Sequence, residues 1–75
     1  MKAYILFKVR TGDIPEVLSH LKRLDGVSEA NMTFGPYDIV AVVQTTDLQH
    51  LGHLLSQGIQ PIPGVEGTLT CLAVD

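Results

Sequence analysis

The chain has 75 residues, 45% of them apolar, and a net charge of −3 from five Lys/Arg against eight Asp/Glu. That is the length of one small domain, 1–75, too apolar for a disordered tail, and below about 70–80 residues a single core supplies only about 3–5 kcal/mol. A lone cysteine, Cys71, cannot form an internal disulfide, a structural zinc site or an iron–sulfur cluster, and no apolar run reaches the ~18 residues of a membrane span.

Oligomerisation is therefore the expected staple. The apolar run between Lys2 and Lys8 is too short for the core of a signal peptide, so a reducing, cytoplasmic setting is expected. All Lys and Arg precede residue 38, and an acidic chain without a basic stripe excludes direct nucleic-acid binding as the first reading.

Residues 2–10 read as a strand, with Ala3, Ile5, Phe7 and Val9 on one face at period two. Thr11-Gly12 is a turn. Asp13 reads as an N-cap with Glu16 at the reciprocal position and Pro15 in the first turn. The helix runs to about Leu24, and its apolar stripe is Ile14, Val17, Leu18, Leu21 and Leu24. His20 lies beside that stripe as scaffold. Lys22 and Arg23 suit the negative end of the helix dipole.

Asp25-Gly26 ends the helix, and Val27 to Thr33 is a second strand whose weak composition places it at a sheet edge. Phe34-Gly35-Pro36-Tyr37 is a turn. The third strand, Asp38 to Gln44, is apolar on both faces and so belongs at the centre of the sheet. Thr46-Asp47-Leu48-Gln49 gives another capping box and opens a second helix that buries Leu48, Leu51, Leu54, Leu55 and Ile59 and ends at Gly58 and Pro61. Pro63-Gly64 is a turn, and Val65 to Val74 is the last strand. Leu24-Asp25-Gly26-Val27 recurs 38 residues later as Ile62-Pro63-Gly64-Val65, each copy joining a helix to a strand.

The order βαββαβ with an internal repeat predicts an α+β, ferredoxin-like sandwich, a four-stranded antiparallel sheet with two helices on one face. The opposite face should be polar if it meets water, but the third strand is apolar on both faces, Tyr4 and Leu6 share one face of the first, and the last offers Leu69, Cys71 and Ala73 against Thr68, Thr70, Leu72 and Val74. Pairing of two such faces into a homodimer is expected.

Chemistry-bearing residues are few. His50 and His53, three apart on a helix, lack a third ligand in their motif and read as solvated, so no metal site is expected. Cys71 has no cation nearby in sequence and reads as an inert, packed thiol. No P-loop, CxxC or paired-carboxylate motif occurs, so neither a catalytic group nor a cofactor is expected. The third strand also lacks the aromatic and basic side chains of an RNA-binding sheet. The segment Phe34-Gly35-Pro36-Tyr37-Asp38 is different. A carboxylate at Asp38 suits an α-ammonium, the Tyr37 hydroxyl suits an α-carboxylate, and Gly35 admits close approach to the backbone. Thr68 and Thr70 add two hydroxyls on one face of the last strand. A Gly-Pro turn closed by an aspartate bonding its own backbone explains the same residues without a ligand.

These pieces together resemble the effector-binding domain of the Lrp/AsnC transcription regulators, the RAM domain. The resemblance runs through Ala3-Tyr4-Ile5-Leu6-Phe7-Lys8-Val9, Leu24-Asp25-Gly26-Val27, a Gly-x-x-Asp signature at Gly35-Pro36-Tyr37-Asp38, Ile39-Val40-Ala41-Val42, and Ile62-Pro63-Gly64-Val65 with Thr68-Leu69-Thr70. It implies the same fold, dimers through the sheets, rings of four or five dimers (octamers or decamers), and amino-acid effectors in clefts between dimers. Carried over, the ligand-binding residues are Gly35, Tyr37 and Asp38, with Phe34, Thr68 and Thr70 beside them. The family's helix-turn-helix domain has no counterpart before Met1, so the resemblance implies a form acting through a partner, such as a full-length regulator. A small dimeric ferredoxin-like enzyme of the monooxygenase or isomerase type is the alternative, and an ACT-type regulatory module is a third reading.

Overall fold

A computed structural model describes all residues, Met1–Asp75. The elements are β1 (Lys2–Val9), α1 (Ile14–Arg23), β2 (Val27–Met32), β3 (Ile39–Gln44), α2 (Leu48–His53) running into a π-helical segment (Leu54–Ile59), and β4 (Val65–Leu72). The strands form one antiparallel sheet in the order β2-β3-β1-β4. The weak second strand is at an edge and the apolar third is interior, as their compositions predict.

The period-two pattern of β1 sets the layers. Ala3, Ile5, Phe7 and Val9 are buried under the helices, and they pair across to Val43, Ala41 and Ile39 of β3 on the same face. Val17 and Leu21 of α1 and Leu51, Leu54, Ile59 and Ile62 complete the core, with Ile14, Leu18 and Leu24 packed at its margin. Burial of an aliphatic side chain is worth about 1.5–3 kcal/mol, so this single layer is most of the favourable term.

The repeated tetrapeptides adopt one conformation. Gly26 and Gly64 have φ of 96° and 99°, and the Val27 and Val65 amides donate to the Leu24 and Ile62 carbonyls at 3.3 and 3.2 Å. Such a turn needs a residue with positive φ at its third position, which is why glycine stands there in both copies.

Two local expectations fail. Asp13 makes no side-chain cap. Its carboxylate is taken instead by Arg10, at 2.7 Å. The second helix is not α throughout. After His53 it widens, and the Gln60 amide donates to the Leu55 carbonyl five residues back, at 2.8 Å. The wider turn directs Leu54 and Ile59 inward together, while Leu48 is 60% exposed and Leu55 only half-buried. The α2 cap is Asp47, which accepts from the His50 amide at 2.8 Å, and the His50 ring answers by accepting from the Thr46 amide at 3.1 Å. His50 thus fills the role that the capping-box reading gave to Gln49.

Candidate functional site

The connection from β2 to β3 is pinned at its base. The Thr33 amide donates to the Asp38 carbonyl at 3.0 Å, and the Thr33 hydroxyl donates to the Tyr37 carbonyl at 2.8 Å. Gly35 sits at φ 148°, and Lys8 Nζ reaches over from β1 to the Pro36 carbonyl at 3.1 Å. Phe34 is fully exposed at the tip, while Tyr37 and Asp38 are half-buried.

Asp38 does not close the turn on its own backbone. Its Oδ2 accepts from the Val9 amide at 2.8 Å, and its own amide donates to the Phe7 carbonyl at 2.8 Å. One carboxylate oxygen therefore finishes the β1–β3 ladder. No hydrogen bond within the chain engages the other oxygen, which leaves it free to accept from a ligand ammonium.

Thr68 and Thr70 are not beside this turn. Thr68 pairs with Phe7 and Thr70 with Ile5, so β1 separates both from β3. Two interstrand spacings put about 10 Å between β4 and β3. Thr68 lines a cavity of about 240 Å³ with Gln60, Val65, Glu66 and Gly67. The register slips between Lys8 and Val9, where Val9 pairs with Val65 and Lys8 with Gly67, so Glu66 is the bulged residue. A bulge re-aims the side chain it carries. Gln60 and Glu66 went unread in the sequence, although a glycine inside a strand pattern, Gly67, is the signal for such a bulge. Within one chain, then, the predicted residues form two groups: Phe34, Gly35, Tyr37 and Asp38 at the β2–β3 turn, and Thr68 and Thr70 on β4.

The uncovered sheet face carries Tyr4 and Leu6 from β1, Val40 and Val42 from β3, and Leu69 and Cys71 from β4, with Lys2 and Lys8 at its ends. Lys2 Nζ lies 5.1 Å from the centre of the Tyr4 ring. Tyr4 and Leu69 are 39% and 49% exposed. Cys71 is exposed rather than packed, because no helix covers this side of β4. His50 and His53 are exposed, and no three His, Cys, Asp or Glu side chains come close enough to share a metal. No helix is long and apolar enough to cross a membrane.

The chain is thus a small ferredoxin-like domain with helices on one side of its sheet, an uncovered apolar face on the other and a glycine-aspartate turn between β2 and β3. Residues 2–75 match the family described as "Lrp/AsnC ligand binding domain", and the chain belongs to that family. It is 39% identical over 74 residues to the HTH-type transcriptional regulator FL11 of Pyrococcus abyssi, an alignment covering 99% of this chain and 48% of that protein. The chain thus spans about half the length of the curated relatives it matches. A solved structure, TTHA0845 from Thermus thermophilus, superposes with a TM-score of 0.94 at 34% identity, covering 99% of this chain and 92% of that one. The transcriptional regulator NMB0573 of Neisseria meningitidis, solved as an L-Met complex, has the same fold: TM-score 0.89, 17% identity, 99% of this chain and 49% of that one. The relatives are named as regulators, which supports the non-enzymatic reading over a monooxygenase or isomerase.

Proposed function

We propose that this chain is an amino-acid-sensing regulatory domain that works as an oligomer. The observation that carries the reading is the free carboxylate oxygen of Asp38 beside Tyr37 and Gly35, in a domain of a ligand-binding family. Asp38 takes the ligand's α-ammonium. Tyr37 and the turn's backbone take the α-carboxylate, and Phe34 covers the side chain. Thr68 and Thr70 come from a neighbouring copy, since β1 separates them from the turn within one chain.

The apolar outer face supports a homodimer through the sheets, and dimers close into rings of eight or ten chains. A ligand held between dimers favours the assembly that presents the complete cleft, and that linkage is the signal. The listener is a partner, such as a full-length Lrp/AsnC regulator, in the cytoplasm. NMB0573, half of which shares this fold, was solved as a complex with L-Met, an ordinary amino acid.

The test is a thermal-melt screen of the purified protein against the twenty amino acids at millimolar concentration. A ligand at 100 times its Kd adds about 2.7 kcal/mol, several degrees for a domain of this size. One or a few clear shifts that also raise the mass in light scattering support the proposal. A flat screen with unchanged mass overturns it.

A further inference from the structure

Little holds the tip of the β2–β3 turn. Phe34 is fully exposed, and a side chain at Gly35 would meet nothing within 4 Å, so no packing fixes the tip. Thr33 pins the base. Of the backbone groups of residues 34–36, the Pro36 carbonyl alone is hydrogen-bonded, and its donor is Lys8 Nζ at 3.1 Å, 28 residues away in the chain. The chain's one ion pair is Arg10–Asp13, so the Lys8 ammonium has no carboxylate partner and spends its one bond within the chain on this carbonyl.

Lys8 also belongs to a second surface. It alternates with Tyr4 and Leu6 along β1, which turns its stem to the uncovered face of the sheet. Its neighbour on β4 is Gly67, which has no side chain to stand over it. One lysine thus rises from the apolar outer face and holds the turn that carries the amino-acid site. In water, a bond between an exposed ammonium and a carbonyl competes with solvent and is weak. Under apolar surface the ammonium cannot give up that bond without leaving a bare charge, which is costly. Covering the outer face therefore presses Lys8 onto the Pro36 carbonyl. The two states of Lys8, bonded or free in water, follow the two states of the face.

We infer that Lys8 is a positioning residue that couples the outer face to the amino-acid turn. Burial of the face fixes residues 35–38 for binding, and by reciprocity an amino acid held there favours the covered face. Lys8 acts through the turn and not on the ligand, a role that rests on the amino-acid site and the homodimer proposed above.

The experiment compares the parent with Lys8→Met, which keeps the stem and loses the ammonium, and Lys8→Arg, which keeps a cation. Hydrogen exchange of the Thr33 and Asp38 amides, followed by NMR, reads the turn without any ligand. The Ile5 and Ala41 amides, on the two interior strands, read the whole fold. Lys8→Met is expected to speed exchange at Thr33 and Asp38 about fivefold, the factor for one ordinary hydrogen bond, and to leave Ile5 and Ala41 unchanged. Lys8→Arg should stay near the parent. Protection of Thr33 and Asp38 should rise with protein concentration in the parent, as copies cover the face, and stay flat in Lys8→Met. The amino acid that shifts the melt most should bind about fivefold more weakly to Lys8→Met, with binding restored in Lys8→Arg. Equal turn exchange in all three proteins, equal acceleration at Ile5 and Ala41, or parent protection that ignores concentration each overturns the role of Lys8. A parent that binds no amino acid overturns the amino-acid site instead, and the exchange rates still decide whether Lys8 ties the turn to the face.

Discussion

Asp38 has two tasks that one substitution confounds and two separate. Its Oδ2 completes the β1 ladder at the Val9 amide, and its charge is the proposed anchor for an ammonium. Asp38→Ala loses both, and a hydrogen bond to a charged group is worth about 1.5–3 kcal/mol. Asp38→Asn keeps an acceptor for Val9 and loses only the charge. The expected outcome is an alanine variant that melts lower and an asparagine variant near the parent, with amino-acid binding lost in both. Calorimetry beside thermal melts checks it, and full binding by Asp38→Asn removes the carboxylate from the site. Gly64 is a second position where one residue carries much. A Cβ there would lie 2.8 Å from the Asp13 Cβ, at a φ of 99° that side chains avoid. Backbone strain of this kind costs about 1–3 kcal/mol before the clash is added. Gly64→Ala is therefore expected to destabilise by at least about 2 kcal/mol in urea melts, and Asp13→Gly in the same chain should restore the part due to the clash.

At the scale of the element, the two helix starts are a controlled comparison. Asp13 and Asp47 look alike in sequence, each an aspartate before a helical pattern. Only Asp47 caps: its Oδ1 receives the His50 amide, whereas the Asp13 carboxylate goes to Arg10. Losing an N-cap costs about 1 kcal/mol, and an exposed pair such as Arg10–Asp13 is worth about 0.2–1 kcal/mol. Asp47→Ala should thus lower stability more than Asp13→Ala, and only the Asp13 effect should shrink in high salt, because the Asp47 bond is short-ranged. Equal losses in denaturant melts would mean that the cap at Asp47 is idle. This pair also shows what a sequence exposes. The strands, the two helices and the repeated glycine turns follow from periods and turn chemistry that each segment carries in itself. Asp13's failure to cap comes from Arg10, three residues outside the motif. The π turn after His53 is set by how Leu54 and Ile59 share the core rather than by spacing along the helix. The candidate site divides in the same way. The glycine and aspartate of the β2–β3 turn stand out in the sequence, but Val9 as the partner of Asp38 is 29 residues away and carries no local mark. The bulge at Glu66 depends on pairing with β1, and only Gly67 hints at it.

For the whole molecule, the outer face of the sheet decides whether the chain is complete alone. Tyr4, Leu6, Val40, Val42 and Leu69 form a continuous apolar strip across three strands, on a domain whose single cysteine leaves it without an internal disulfide. A second copy would bury that strip and lend each domain stability that depends on concentration. Leu69 is the position to perturb. It is half-exposed in one chain, so a charge there is solvated in the monomer but would be desolvated in a face-to-face dimer, and an unpaired buried charge is costly. Leu69→Glu is expected to convert a dimer or larger ring to monomers in sedimentation while leaving the circular dichroism spectrum unchanged. The parent's Tm should rise with protein concentration and the variant's should not. Cys71 supplies an internal reporter two residues away on the same face. Its thiol should react slowly with an aromatic disulfide reagent in concentrated parent protein, quickly on dilution, and quickly at every concentration in Leu69→Glu. A parent whose Cys71 reacts at one rate throughout, and whose mass is that of a single chain, would place the interface elsewhere or remove it. The amino-acid cleft would then have to be completed within one chain, where β1 keeps Thr68 and Thr70 from the Asp38 turn.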